Sequence, residues 1–309
     1  MSSFTIESWT WYGFAVTIVL LRFTARLLHF KTVLRLQVED WLMLFVTCLY
    51  TILIAFLNLD ATGETNLINP NDIPKLTQAD IERRTWGSKV MTVVEQCMCA
   101  VQWGTKACLL ILYWRLTGRF KRNVVVAVAA YVAISYLVME SLWFLYWCRP
   151  FHDYWETPTN NTQCTTALHH LIVNISFNLS SDLLIMSIPL PLLFRTRMDL
   201  TRKIFVIFPF LMGLFTIVCA ILSKHLSFTQ PFSAKWVFWY CREASTAMIV
   251  TNIPYSWALI QRVFRLKSFF RDSDDAITLP THVPLGKPAL SNPTTVELNM
   301  LYPVDDDRG

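Results

Sequence analysis

Residues 169–194 form an apolar run long enough to cross a bilayer as a helix, which takes about 20 residues. Asn174, Asn178 and Asp182 interrupt this run, and their spacing places them along one face of a helix. An ionised aspartate at membrane depth costs about 2.5–3.5 kcal/mol on insertion scales, so it is tolerated where it faces a bundle interior, a partner or water. The polar face of this helix therefore has to be covered by other helices.

The rest of the chain is apolar enough to supply those helices. Of its 309 residues 54% are hydrophobic and 16% are charged, a balance typical of a polytopic membrane protein. Apolar stretches predict seven spans, at about residues 9–28, 40–59, 89–116, 123–147, 165–194, 204–226 and 236–263. We therefore expect an all-α membrane protein with a seven-transmembrane helix bundle in residues 1–271. The polar, proline-rich residues 272–309 are expected to be a disordered cytoplasmic tail.

Charge in the short loops predicts the orientation of this bundle. The loops after the first, third and fifth spans and the segment after the seventh are rich in lysine and arginine, which marks the cytoplasmic side. The N-terminus is then outside and the C-terminus cytoplasmic. Asn160 begins a glycosylation sequon in an outside loop. Cys148 and Cys164 lie in the same loop, where oxidising conditions favour a disulfide.

Further polar residues interrupt the other predicted spans. Glu95, Gln102 and Lys106 return to nearly the same face of the third span. The remaining candidates are Glu140 in the fourth span and Glu243 and Asn252 in the seventh. All of these, like the polar face of residues 169–194, could form interhelical hydrogen bonds, worth about 0.6 kcal/mol each. They could equally form a site for an ion, a proton or a ligand.

Two of these positions suggest specific contacts. Lys106 is expected to form an ion pair with Asp182 or with Glu243. Glu140 shares its helix face with Tyr136, Trp143 and Trp147, a setting in which a carboxylate and aromatic rings could bind a cation.

The ends of the predicted spans carry charge as well. Arg22 and Arg26 are expected to extend from the first span to the headgroup layer. Glu39 and Asp40 are expected to face the cytoplasm at the start of the second span, where the helix dipole favours carboxylates. Thr77 and Asp80 fit a capping box.

Several site classes are not expected. The eight cysteines include no pair with metal-site spacing, so no metal site is predicted. The chain lacks a basic run with interleaved aromatics outside the spans, so nucleic acid is not an expected partner. The expected surroundings are the lipid bilayer, with a multi-pass location in the plasma membrane or an endomembrane.

An ordered set of short motifs runs from the first span to the seventh. It comprises LRFTAR at 21–26, EDW at 39–41, Lys106, YWRL at 113–116, CRP at 148–150, Trp155, Cys164, Asp182, PLP at 189–191, Gly213, Glu243 and NIP at 252–254. This set resembles the fungal rhodopsin-domain family, seven-span proteins often described as receptors of the plant-surface-sensing type. Where the family usually has Asp-Asp-Trp, this chain has Glu39-Asp40-Trp41.

Within this resemblance, retinal is not an expected cofactor. A retinal Schiff base needs a lysine in the middle of a late span, and residues 236–263 contain none. No other cofactor is predicted.

Three function classes remain open. The first is a receptor-like sensor of a small extracellular or membrane ligand that acts on a cytoplasmic signalling partner. The second is a membrane-embedded, terpene-cyclase-like enzyme with Glu95, Glu140 or Asp182 as the acid. The third is a transporter, which the odd span count without repeats disfavours. A wide pocket at the outer face would favour a receptor, and a closed apolar chamber with one acid would favour an enzyme.

Overall fold

The computed structural model describes residues 3–30, 36–59, 65–68, 76–116, 122–159, 161–190, 200–230 and 232–263. Within these residues the regular structure is entirely helical. The α-helices are α1 Ser3–Phe30, α2 Val38–Leu59, α3 Gln78–Leu116, α4 Arg122–Leu142, α5 Thr162–Thr166, α6 Leu168–Ser187, α7 Leu200–Thr229 and α8 Lys235–Val263. A π-helical turn, Trp143–Trp147, continues α4, and a 3-10 turn, Phe151–Tyr154, follows it.

Four helical stretches in the described chain are long and apolar enough to cross a membrane. They are Ser3–Leu28, Val38–Leu59, Arg122–Trp147 and Ile207–Thr229. The other three long helices, α3, α6 and α8, are more polar because they carry most of the polar residues predicted to face the bundle core. The chain is thus a helical integral membrane protein in which α3, α6 and α8 carry many of the buried polar groups.

The helices pack around two apolar cores. In the larger core, α8 packs against α1, and α2 packs against α3. Tyr50, Val94 and Met248 are among its buried side chains. The second core joins α3, α4 and α6 through residues such as Trp103 and Ile185. At Gly104 the α2–α3 contact is so close that an added Cβ would lie 2.4 Å from Cγ2 of Val46.

The predicted capping box at the start of α3 is confirmed. The Asp80 amide donates to Thr77 Oγ1 at 3.3 Å, and the Thr77 amide donates to Asp80 Oδ2 at 3.1 Å. The Thr77 hydroxyl also donates to this carboxylate, and these bonds lower the pKa of Asp80 below its ordinary value. The helix therefore begins at Gln78, well before the predicted span.

The predicted fifth span differs from the observed helix. Ala167 adopts a left-handed conformation, with φ of 46°, and this residue separates the short α5 from α6. The apolar helix thus begins at Leu168 instead of residue 165. Residues 191–194, Asn160 and the predicted tail at 272–309 lie outside the described residues.

The predicted disulfide between Cys148 and Cys164 is confirmed, with their Cα atoms 5.3 Å apart. It packs with Trp143 and Tyr154 in a small buried cluster, where the two rings stack with centroids 4.4 Å apart. The disulfide therefore links the end of the π-helical turn after α4 to α5, which immediately precedes α6.

Candidate functional site

Lys106 is the centre of a polar cluster inside the bundle, which we call the core cluster. Its ammonium donates to Asn178 Oδ1 at 2.5 Å, to the Asn178 carbonyl at 2.9 Å and to Ser181 Oγ at 2.7 Å. It also lies 3.2 Å from Asp182 Oδ1. The predicted Lys106–Asp182 pair is therefore confirmed. It joins α3 to α6, because the spacing of four residues places Asn178 and Asp182 on the same face.

Glu243 of α8 completes the core cluster through amides and not through Lys106. Its Oε1 accepts from Gln102 Nε2 at 2.5 Å and from Asn178 Nδ2 at 2.9 Å. All three side chains are buried. Among the described residues, Glu243 Oε2 and Gln102 Oε1 have no hydrogen-bond partner. The cluster therefore ties α3, α6 and α8 together and keeps two free acceptor oxygens.

A cavity of about 250 Å³, the core cavity, adjoins this cluster. Asp182 and Glu243 lie in its wall, while α7 contributes apolar residues such as Pro209 and Phe210. Lys106, Gln102 and Asn178 of the core cluster also line it, and the rest of its lining is mostly apolar.

Glu95 is the centre of a second group of polar residues, the Glu95 cluster. Its Oε1 lies 3.0 Å from His170 Nε2 of α6, and its Oε2 accepts from the Tyr240 hydroxyl of α8 at 2.8 Å. Lys224 Nζ of α7 lies 4.0 Å from Oε1. The His170 ring packs edge-on against Trp143, with centroids 4.5 Å apart. One carboxylate thus connects four helices.

The same cluster includes a combination of potential metal ligands. Ligand atoms of Glu95, Cys99 and His170 all lie within 4.8 Å of one another. However, Asn174 Nδ2 donates to Cys99 Sγ at 3.5 Å, and the Lys224 ammonium lies beside Glu95. A cation here would be repelled by that ammonium. The arrangement is therefore better suited to a hydrogen-bonded network than to a metal ion.

A cavity of about 1170 Å³, the loop cavity, lies above the Glu95 cluster at the end of the bundle that carries the disulfide. It lies between the start of α1, residues 65–68, the α5–α6 junction and the α7–α8 turn. Aromatic side chains form much of its wall: Phe4, Trp143, Tyr154, Phe228, Phe232, Trp236, Phe238 and Tyr240. Glu95 and Lys224 also line it, so the cavity combines an aromatic wall with a charged pair.

Charged residues near the α1–α2 connection form a third group, the arginine cluster. Arg22 Nη2 and Arg26 Nε lie 2.9 and 3.1 Å from Asp40 Oδ1, and Arg26 Nη2 lies 2.5 Å from Glu39 Oε1. All four side chains are fully buried. Arg115 at the end of α3 also pairs with Glu39, at 2.7 Å.

The expectations for these charges at the membrane surface are therefore wrong. The two arginines do not extend to the headgroup layer, and the carboxylates at the start of α2 do not face solvent. The reason is that the α1–α2 connection is short, so the end of one helix meets the start of the next and opposite charges neutralise each other. Asn252 belongs here as well, since its Oδ1 accepts from Arg22 at 3.3 Å.

Glu140 takes no part in either cavity's described lining. It lies beside Gln96, whose amide nitrogen faces the carboxylate and donates to Glu140 Oε2 at 2.7 Å. The amide oxygen of Gln96 accepts from Trp143 Nε1 at 3.1 Å. The predicted carboxylate among aromatic rings is thus present, but it contacts a neighbouring side chain of α3 and not one of these cavities.

Sequence reasoning missed three members of the Glu95 cluster, namely His170, Lys224 and Tyr240. His170 lies one helical turn before Asn174, so extending the polar spacing of α6 backward by four residues would have found it. For the other two no comparable signal exists, since Tyr240 belongs to an aromatic segment and Lys224 lies near a predicted span end.

The model of the fungal rhodopsin domain matches residues 21–262 of the chain. No curated protein and no solved structure gives a match. The matched segment runs from the second half of α1 almost to the end of α8 and therefore contains all three polar clusters. Because it covers well over half of the sequence, the chain belongs to the fungal rhodopsin-domain family.

Proposed function

We propose that the protein is a seven-transmembrane, receptor-like sensor with its N-terminus outside and its C-terminus in the cytoplasm. In this arrangement α3, α6 and α8 cross the membrane together with the four apolar stretches. Their polar side chains are compatible with crossing because they pair with one another inside the bundle. The basic short loops and the disulfide loop then lie on opposite sides of the membrane.

The loop cavity is the observation that carries this proposal. Its volume of about 1170 Å³ would accommodate a small molecule, since ligand pockets commonly measure about 300–1,000 Å³. Its lower end is the Glu95 cluster, to which α3, α6, α7 and α8 all contribute. If these helices can adopt two arrangements, a ligand that binds one of them more tightly would increase the population of that arrangement. A cytoplasmic partner could respond to this change in population.

Cysteine accessibility tests whether the loop cavity opens to the outside. Thr92 lines the cavity, whereas its neighbour Val93 is an exposed apolar residue that would face lipid. A charged, membrane-impermeant methanethiosulfonate added to intact cells should modify the Thr92→Cys variant much faster than the Val93→Cys variant, because a thiol reacts as its thiolate and needs water. Equal or slower reaction of Thr92→Cys would refute an open ligand cavity on this side.

A topology test checks the orientation separately. A reporter fused after Arg271 should remain cytoplasmic, and Asn160 should be glycosylated. A protease-protected C-terminus inside the lumen would overturn this arrangement.

The core cavity favours the enzyme as a second candidate function. Glu243 is a buried acid with one oxygen that has no partner among the described residues, in a mostly apolar chamber. Such an acid could protonate an alkene or an epoxide. At about 250 Å³, however, the chamber is small for a terpene-like substrate. Conversion of a polyprenyl epoxide by purified protein, lost in Glu243→Gln, would favour this function over a receptor.

A further inference from the structure

Lys224 is a buried lysine whose ammonium makes no hydrogen bond to a protein group in the described part of the chain. We infer that it anchors the anionic head group of an amphipathic carboxylic acid in the loop cavity. This inference rests on the proposal that the cavity binds a ligand, and it adds the chemical class of that ligand.

The surroundings of Lys224 leave its ammonium without a hydrogen-bond acceptor among the described residues. The residue is 2% exposed, and it lines the loop cavity. In the described part of the chain its Nζ makes no hydrogen bond, and its one ion-pair partner, Glu95 Oε1, is 4.0 Å away. The Tyr240 ring centroid is 5.4 Å from Nζ. An ammonium has three donor hydrogens, and none of them meets a protein acceptor at hydrogen-bond distance among the described residues.

Glu95 does not use up this capacity, because its Oε1 lies 4.0 Å from the ammonium, which is beyond hydrogen-bond distance. His170 Nε2 lies 3.0 Å from Oε1, and the Tyr240 hydroxyl donates to Oε2 at 2.8 Å. Each carboxylate oxygen therefore has a partner at hydrogen-bond distance, whereas the ammonium has none among the described residues. This asymmetry favours a ligand that accepts hydrogen bonds from Lys224 over one that donates to Glu95.

Charge balance in the loop cavity leads to the same preference. The charged side chains in its described lining are Arg84, Glu95 and Lys224, which gives two cations and one anion. A ligand amine would be repelled by the neighbouring ammonium, while a carboxylate would be attracted. The lining as a whole thus carries an excess of positive charge, and Lys224 is the cation at the end of the cavity where Glu95 lies.

The rest of the cavity wall indicates which chemical groups the body of the ligand contains. Arg84 precedes Glu95 by eleven residues on α3, so the two residues are about 16 Å apart along the helix axis. Between and around them the wall includes Phe4, Leu171 and Trp236. An apolar chain or ring system with a carboxylate at one end fits this distribution, because its head meets Lys224 while its body contacts apolar side chains.

Binding of dodecanoic acid tests the inference, with its methyl ester as the uncharged control and dodecylamine as the cationic one. The full-length protein would be placed in nanodiscs, with empty nanodiscs to correct for partition into lipid. We expect the acid to bind at least about tenfold more tightly than the ester, since a hydrogen bond to a charged group contributes that much. An equal affinity for acid and ester, or a preference for the amine, would overturn the inference without any variant.

Variants then test whether Lys224 is responsible for the preference for the acid over the ester. Lys224→Met should lose about tenfold or more in acid affinity while ester binding is unchanged, and Lys224→Arg should retain the preference. Lys235→Met is the matched control, because Lys235 is exposed and does not line the cavity. A Lys224→Met variant that keeps the acid preference would refute the anchor. If the protein binds the ester and the acid equally well, the anionic-ligand inference is refuted but the proposed ligand cavity is not. If it binds neither compound and Thr92→Cys does not react with the reagent, both proposals are refuted.

Discussion

Replacing Lys106 with methionine removes the cation at the centre of the core cluster and keeps a side chain of similar length. The substitution leaves Asp182 without its partner at 3.2 Å, and it removes three hydrogen bonds to Asn178 and Ser181. The Asp182 side chain is 20% exposed, so it stays largely desolvated. Breaking a buried pair from one side costs about 3–5 kcal/mol. We expect Lys106→Met to lower the free energy of unfolding by this amount.

Replacing the other partner, Asp182, should lower the free energy of unfolding less. In Asp182→Asn an amide oxygen remains near Lys106, and the ammonium keeps its acceptors on Asn178 and Ser181. The expected loss is about 1.5–3 kcal/mol, the contribution of a hydrogen bond to a charged group, because the ammonium loses its counter-ion but keeps its other acceptors. The structure therefore predicts unequal effects for the two partners of one ion pair.

The double variant measures their coupling. Lys106→Met with Asp182→Asn leaves no uncompensated charge in this pair, so its loss should be smaller than the sum by about 0.5–3 kcal/mol. Thermal unfolding in detergent would detect this, since each kcal/mol shifts the midpoint by about 2–4 °C in chains of roughly this size. Ser176→Ala is a suitable control, because among the described residues its exposed hydroxyl donates only to the Ile172 carbonyl of its own helix. Strictly additive losses, or a larger loss for Asp182→Asn, would refute the reasoning.

Two further predictions concern packing and the disulfide. Gly104→Ala should lower stability by about 1–3 kcal/mol because its Cβ would meet Val46, and adding Val46→Ala should recover part of the loss. Gly13→Ala, where an added Cβ meets nothing within 4 Å, should be neutral or stabilising, and equal unfolding temperatures for the two alanine variants would contradict this. Replacing Cys148 and Cys164 with serine should cost about 3 kcal/mol, because their bond closes a loop of 16 residues in sequence separation. A reductant should lower the unfolding temperature of the wild type to that of the serine variant, and no response to reductant would count against a stabilising disulfide.

Polar spacing along single helices was the most informative signal for the site. The four-residue repeat in α6 identified the face that carries Asn178 and Asp182, and a similar repeat in α3 identified Lys106. Because both faces had to be buried, a contact between them was predictable. The partners of Glu243 were not, since hydrogen bonding to Gln102 and Asn178 depends on how α8 is rotated and how deep it lies.

By itself, the sequence determined that long apolar helices form, which of their faces are polar and which two cysteines share a loop. These properties follow from local composition and from helical periodicity, which act within one segment. Only the tertiary structure decided which polar faces meet. It placed Arg22 and Arg26 against buried carboxylates, separated Glu95 from the core cluster and put Lys224 in the wall of the loop cavity. The physical reason is that a charge inside a bundle is stabilised by atoms within a few ångströms, and those atoms come from helices far apart in the chain.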